Sequence, residues 1–461
     1  MKLNHRRPPA ISDHTPIGLK SARQTSPEAK TPADFSSRTL TTTTGPVLVF
    51  FYLKKIKPNF VWFRTLIDPS MEDLPAELTI DILSRLPVKT IIHCKLVCKK
   101  WRNLVLDSLF VNLHLSRSPI GLIIKHYPFM YRTNYWIFPS YPGTMKWVQI
   151  EDKVDCDRLL SLNLNLPAIL QNASIIHMGS VNGLICLWRT IPALNLDNIC
   201  ICNPVTRECM ILPGQRFQRD GFAEAAYGFG LSSVTGEYKV VRTLQAKVVQ
   251  NGHKPAWPSV IEAEVYTLGT CEWRNLGPVP VTYYWLNNAL HQFCGTFLNN
   301  HFHWIVCDSK DTRDEIATFD LDKETFQMFP SPPESVQGKR CHGQSLAILK
   351  GCLCKLGTYH FELTIWVMKE YGIKNSWHKE VVITPEICVD LKWPLFEPMD
   401  LIVGLKDGSI LMVFENKFCV FDPRSQTIEE TKMFKPQSRG LAYRPSFLKF
   451  QNFGSEMVYM F

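Results

Sequence analysis

No apolar stretch of this 461-residue chain is long enough to cross a bilayer. A spanning helix takes about 20 apolar residues, whereas the longest early run, Val47-Leu48-Val49-Phe50-Phe51-Tyr52-Leu53, is closed by Lys54, Lys55 and Lys57. That run also starts too late, behind a long polar stretch, to be an ordinary secretory signal, so a soluble protein is expected. Cys-x-x-Cys pairs are missing too. The 15 cysteines are odd in number and scattered, often inside apolar runs (Cys186, Cys200, Cys202, Cys352, Cys354, Cys419), and reduced, buried thiols in an intracellular protein are the simplest account. There is no P-loop and no Gly-x-Gly-x-x-Gly fingerprint, which removes the two commonest phosphate-cradling motifs. Charge is sparse, at 20% of residues against 45% hydrophobic, so most of the chain can bury a core.

The formal net charge of +9 invites a nucleic-acid or acidic-membrane reading, but its position argues against one. Residues 1–70 hold 11 basic and 4 acidic side chains, residues 71–115 hold 6 and 5, and residues 116–461 hold 34 and 33. The excess belongs to the first segment, which is rich in Ser, Thr and Pro and carries the run Thr41-Thr42-Thr43-Thr44. Residues 1–70 are expected to be a disordered basic extension; their low acid content also resembles an organellar transit peptide. Met71 stands directly before a well-formed segment and is expected to begin the functional module.

Residues 71–115 read as three short helices. Leu74-Pro75 opens the first, where proline costs no hydrogen bond. Leu78, Ile82 and Leu86 form one stripe, Ile80 and Leu83 a second, roughly opposite. Pro87 ends that helix, a second carries Val88, Ile91, Ile92 and Leu96, and a third carries Val97, Trp101, Leu104 and Val105. About 45 residues cannot usually bury a helix that is apolar on two faces. Either the downstream domain covers one face, or a partner protein does.

Residues 116–461 read as β, with short apolar runs between Gly, Pro, Asn and Asp turns. One unit recurs, clearest in Ile199-Cys200-Ile201-Cys202-Asn203-Pro204-Val205-Thr206, Ala317-Thr318-Phe319-Asp320-Leu321-Asp322 and Phe418-Cys419-Val420-Phe421-Asp422-Pro423, and weaker around Val265-Tyr266 and Ile365-Trp366. Its period is about 55, near that of propeller blades. In the turns, the Asn or Asp side chain is expected to bond the backbone two residues on. A second unit, in Asn182-Gly183, Lys350-Gly351 and Asp407-Gly408, places Gly where a tight hairpin needs positive φ. There is room for six or seven blades, with a pair of two-sheet sandwiches as the alternative.

Catalytic constellations are weak. His301 and His303 share a strand face with Cys307 nearby, but no acid follows at a ligand spacing. Cys200, Cys202 and Cys209 alternate within apolar strands and read as core. Cys341-His342 lacks an orienting acid, and Gly343-Gln344-Ser345-Leu346-Ala347 lacks the final Gly of a nucleophile elbow. No metal site, cofactor or catalytic residue is assigned.

Three segments, Asp73-Leu74-Pro75-Ala76-Glu77-Leu78, Ile82-Leu83-Ser84-Arg85-Leu86-Pro87-Val88-Lys89 and Val97-Cys98-Lys99-Lys100-Trp101-Arg102, closely resemble the F-box. The β region resembles the F-box-associated, kelch-like domain of plant F-box proteins through Gly179-Ser180-Val181-Asn182-Gly183-Leu184, Asn203-Pro204-Val205-Thr206, Tyr227-Gly228-Phe229-Gly230, Glu237-Tyr238-Lys239-Val240-Val241, Glu264-Val265-Tyr266 and Ile365-Trp366-Val367-Met368. Two departures stand out: Ser232 where an Asp is usual, and Glu237 for a common Asp. The resemblance implies an α+β multidomain chain, with a three-helix F-box over 71–115 and an all-β, kelch-like propeller over 116–461. It implies the substrate-recognition subunit of a Skp–cullin–F-box ubiquitin ligase, itself non-catalytic. Its partners would be a Skp-family adaptor, through it cullin and a RING subunit, and an unknown protein substrate, without nucleic acid or membrane. By motif position Leu74, Pro75, Ile82, Leu83, Leu86, Pro87, Val97 and Trp101 would be adaptor contacts or their direct support, Leu74, Pro75 and Leu83 foremost as contacts. The alternatives are an adaptor-bound regulator outside the ligase and a propeller enzyme or small-molecule sensor. Substrate recognition would fall on interblade loops such as 215–222, 250–258 and 331–340. The expected compartment is intracellular, nuclear and/or cytoplasmic, although the Lys54-Lys55-Ile56-Lys57 cluster is too short to specify a nuclear signal.

Overall fold

A computed structural model of the chain describes residues 74–460, apart from 127–129, 133–136, 140–144, 150–160, 165–173, 192–195, 214–221, 247–260, 280–282, 286–293, 309–313, 334–341, 360–361, 385–399, 415–416, 432–437 and 454–457. The basic segment 1–70 and Cys341 lie outside the described residues. Four helices come first: α1 (Ala76–Ser84), α2 (Val88–Cys94), α3 (Lys99–Leu104) and α4 (Ser108–Arg117). Pro75 and Pro87 are the N-caps of α1 and α2. The expectation of three helices is therefore corrected to four. Asp107 breaks away from α3 in extended backbone, and its carboxylate accepts from the Leu109 amide 2.8 Å away, starting a helix that the apolar pattern alone did not mark.

The strands follow in chain order: β1 (Gly121–His126), a β2–β3 hairpin (Met130–Arg132, Ile137–Pro139), β4 (Met145–Gln149) and β5 (Ser161–Leu164); β6 (Ser174–Val181), β7 (Leu184–Ile191), β8 (Leu196–Asn203) and β9 (Glu208–Ile211); β10 (Phe222–Leu231), β11 (Tyr238–Ala246), β12 (Ile261–Thr267) and β13 (Trp273–Pro278); β14 (Tyr283–Trp285), β15 (Thr296–Leu298), β16 (His301–Asp308), β17 (Asp314–Asp320) and β18 (Thr325–Phe329); β19 (His342–Leu349), β20 (Cys352–Tyr359), β21 (Glu362–Met368) and β22 (Trp377–Ile383); β23 (Asp400–Gly404), β24 (Ile410–Phe414), β25 (Lys417–Asp422) and β26 (Thr427–Glu430); and finally β27 (Ser438–Tyr443) and β28 (Val458–Met460). Among the described residues they form six antiparallel sheets of four or five strands, with the β2–β3 hairpin as a separate two-stranded sheet. The innermost strands β6, β10, β15, β19, β23 and β27 lie each against the next, and β27 against β6, so the ring closes as a six-bladed propeller.

Blade 1 is built from both ends of the domain. Its inner strand β27 pairs with β1, Gly121 opposite Tyr443 through His126 opposite Ser438. β28 adds a fifth strand to the outside of blade 2, on β9.

The recurring units of the sequence fall in register. Asn203, Asp320 and Asp422 each end the third strand of a blade, and their Oδ1 atoms accept from the amides of Val205, Asp322 and Arg424, two residues on. Four residues past each Asx, Arg207, Glu324 and Gln426 take φ between 54° and 61° to reverse the chain. The Asn182-Gly183 turn joins first to second strand, with φ of 49° and 84° at the two positions, as a primed hairpin requires.

Burial is concentrated between blades. Leu184, Ile201 and Met210 of blade 2 meet Tyr227, Phe229 and Tyr266 of blade 3; Val241 and Val265 meet Phe302, Trp304 and Phe319; and comparable clusters fill the other four interfaces. At two points the innermost strands leave room for a ring of the neighbouring blade. A Cβ on Gly228 would stand 2.7 Å from the Phe302 ring, and one on Gly440 would stand 2.9 Å from Phe418. Blades 3 and 4 are also joined at their turns. Ser232 Oγ donates to Asp322 of the neighbouring blade and Lys239 pairs with Glu324 at 3.0 Å. At the Ser232 departure, a carboxylate is thus supplied from the next blade.

The ring is fastened at Asn203. Its side-chain amide is buried and donates to the carbonyls of Ser446 (3.1 Å) and Leu448 (2.6 Å), just past the closing strand. Glu208 Oε2 accepts from the Phe450 amide at 3.1 Å, and Tyr443 Oη donates to Gly183 O at 3.1 Å. Asn203→Ala removes the donor from the buried Ser446 carbonyl and the half-buried Leu448 carbonyl and should destabilise the domain by about 1–3 kcal/mol in urea unfolding. Asn203→Asp keeps the turn acceptor but aims a carboxylate at two carbonyls, and is expected to be at least as damaging.

Candidate functional site

The helical module has one closed face and one open face. On α1, Thr79, Ile80, Leu83 and Ser84 point inward, against α4. Arg117 of α4 reaches back to Asp81 at 2.7 Å, and Arg85 meets the same carboxylate at 3.1 Å. The two guanidiniums hold the Asp81 carboxyl below its ordinary range. Lys100 Nζ donates to Leu74 O at 2.8 Å, tying α3 to the start of α1. The Cys98 thiol caps α3 by accepting from the Trp101 amide.

The remaining arc of α1 is uncovered. Leu78 is 54% exposed, Pro75 is exposed, and Ile82 is half-buried. Positions 75, 78 and 82 are spaced three and four apart and share one side of the helix. Pro87 and Leu96 are exposed, and Leu74, Val97 and Trp101 are half-buried. Leu83 is 1% exposed and Leu86 is buried, so in this conformation both support the surface from within. Leu78 and Leu96, both exposed, were not among the residues singled out from the sequence as adaptor contacts. The Leu78–Ile82 stripe was the available signal, but motif position alone did not say which of two apolar faces α4 would cover.

The module joins the propeller through aromatic side chains. Phe110 and His114 of α4 stack at 5.7 Å, and Phe447, which follows the closing strand, stands 5.9 Å from Phe110 and 5.2 Å from His114, edge-on to the latter. All three are buried. Burial pulls the His114 imidazole down to about pKa 4, partly offset by its hydrogen bond to the Leu86 carbonyl.

The other candidate chemistries resolve into structure. His303 engages Thr296 O with Nδ1 (3.0 Å) and Tyr371 Oη with Nε2 (2.9 Å), leaving neither nitrogen for a metal. His301 lies 3.6 Å from Asp320, and the Cys307 side chain lies outside the described residues. Cys200, Cys202 and Cys209 are buried between blades 1 and 2, and burial raises the Cys202 thiol above its ordinary range. Among the described residues no cluster of His, Cys, Asp and Glu could hold a metal ion, and no helix is long and apolar enough to cross a membrane.

Strand direction sorts the propeller into two ends. The first-to-second and third-to-fourth turns of each blade lie at one end, where Gly183, Asn203 and Phe447 are found. The strand ends that flank 215–222, 250–258 and 331–340 lie at the other. Those segments are themselves largely outside the described residues.

A short helical module with an open apolar face precedes a closed six-bladed propeller. A family model described as the F-box associated beta propeller domain matches residues 145–443, and an F-box-like model matches residues 71–116. The chain belongs to the F-box proteins with an F-box-associated propeller. It is similar to three proteins of Arabidopsis thaliana: F-box protein At3g07870 (25% identical, covering 77% of this chain and 86% of that protein), F-box protein CPR1 (26%, 67% and 72%) and F-box/kelch-repeat protein At3g23880 (25%, 75% and 88%).

His114 yields a pH test. Its folded pKa is depressed to about 4 from about 6.5 in the unfolded chain. Its contribution to stability is complete above pH 6.5 and is lost as the pH falls toward 4, because the unfolded state takes up the proton first. His114→Phe should flatten the fall of the urea midpoint across that window, without abolishing it, since His303 is depressed to about 4 as well.

Proposed function

We propose that the protein is the substrate-recognition subunit of a Skp–cullin–F-box ubiquitin ligase. The observation that carries this reading is the open Pro75–Leu78–Ile82 face of α1 on a module too small to bury it. Docking that face on a Skp-family adaptor would remove exposed Leu78 from water, and buried anchors of this kind carry most interface energy. Cullin and a RING subunit would be recruited through the adaptor. The ubiquitin chemistry would occur on those subunits. This chain would contribute proximity, raising the effective concentration of a target lysine near the charged conjugating enzyme. The target would be captured at the propeller end remote from the F-box, in the nucleus and/or cytoplasm.

The test is binding to a purified Skp-type adaptor. Leu74→Ala with Pro75→Ala, and separately Leu78→Asp, should weaken binding at least tenfold, about 1.4 kcal/mol or more, while urea unfolding stays near wild type. Full-strength binding by either folded variant would remove the face from the interface. Leu83→Ala should also lower binding, but together with protection of the α1 amides from hydrogen exchange, since emptying a core leucine site costs about 2–5 kcal/mol. Reconstitution with cullin distinguishes a ligase subunit from an adaptor-bound regulator.

A further inference from the structure

The segment that follows the closing strand makes contacts in two directions. Toward the propeller, the carbonyls of Ser446 and Leu448 accept from Asn203, and the Phe450 amide donates to Glu208. Ser446 packs under Gly183, where an added Cβ would stand 2.3 Å from the Ser446 Cβ. Toward the helices, the Phe447 ring enters the pocket of Phe110 and His114 and is 1% exposed. Lys95, just past the end of α2, senses the charges of Lys449 and Glu208, and burial foremost holds its ammonium below the lysine range. Phe447 therefore inserts its side chain into the helical module while its neighbours Ser446 and Leu448 are held by the propeller. Phe447 itself lies beyond β27, whose pairing with β1 completes blade 1.

We infer that residues 446–450 are a strut that fixes the direction in which the F-box face points relative to the propeller, with Phe447 as the positioning residue. The consequence for ubiquitin transfer rests on the adaptor reading above. A target held on one end of the propeller meets the conjugating enzyme only if the module at the other end is held at a set angle. The strut itself is a property of this chain and is measurable without any partner.

The test uses the full chain, with nitroxide labels carried by a genetically encoded ketone residue at exposed positions Asn112 and Glu429. Wild type should give one narrow distance distribution. Phe447→Ala should broaden it at least twofold, while adaptor affinity stays within twofold and the urea midpoint of the propeller is retained. Phe447→Leu, which refills most of the pocket, should restore the narrow distribution. An unchanged width in Phe447→Ala overturns the strut. Should that variant not fold, hydrogen exchange on the unaltered chain decides. Amides of α4 that share the protection of Leu448 and Phe450 support the strut, and α4 amides exchanging at least tenfold faster than these overturn it. Loss of adaptor binding in the Leu78 variant leaves these distances untouched, so failure of the adaptor reading and failure of the strut are separable.

Discussion

The buried amide of Asn203 is the point on which the rest of the molecule depends. Its oxygen forms the turn that ends the third strand of blade 2, and its nitrogen holds the carbonyls of Ser446 and Leu448, more than 240 residues later. A propeller closes only if the last strand finds the first, and that pairing carries the largest loop-closure cost in the fold. Once β27 is seated, blade 1 presents Leu122, Ile124 and Val148 to blade 6 and Ile123, Met145 and Trp147 to blade 2. Without it both interfaces lose a wall. Hydrogen bonds to a neutral amide are individually modest, but buried carbonyls left without donors are expensive. The clamp is therefore worth more against its own removal than its net contribution to folding would suggest.

Stability in this architecture comes from stacking blades, and that explains where the large side chains are. Trp304, Phe302 and Phe319 lie on the second and third strands of blade 4, facing blade 3. On the face of β10 turned toward blade 4, Gly228 and Ala226 leave room for these rings, while its other face carries Tyr227 and Phe229 toward blade 2. Turn contacts add a second layer of registration. The Ser232–Asp322 and Lys239–Glu324 pairs stitch blades 3 and 4 at the rim. Ser232 thereby meets a carboxylate brought by the neighbouring blade.

Most of this organisation was legible because it is local. The Asx that ends the third strand of blades 2, 4 and 6 bonds an amide two residues away, so its signature is contained in a few consecutive residues. Closure was not legible, because the pairing of β1 with β27 joins segments with no shared pattern. Helix α4 escaped for a different reason: its cap at Asp107 is clear, but its buried side chains, Phe110, Val111 and His114, are completed by Phe447 from the far end of the chain. The open face of α1 was half legible. Two apolar stripes on α1 were evident, and only the packing of α4 over Ile80 and Leu83 decided that Leu78 and Ile82 stay open. Exposure thus separates residues able to contact a partner from those that support the contact, a distinction that motif matching alone does not make.

Blades of four antiparallel strands impose one more constraint. The first and third turns of a blade fall at one end, and the second turn and the crossing to the next blade fall at the other. At the first end the turns are short and bound by their own side chains, as at Asn203, Asp320 and Asp422, and geometry there is tightly specified. At the second end most connecting residues lie outside the described residues; among those described, the Ser331 hydroxyl donates to Glu315 at 3.1 Å. β27 runs in the same direction as the other innermost strands, so the chain emerges from it at the specified end, and β1 begins there too, opposite Tyr443. Both the helical module and the segment bearing Phe447 are thereby delivered to the end whose shape is fixed.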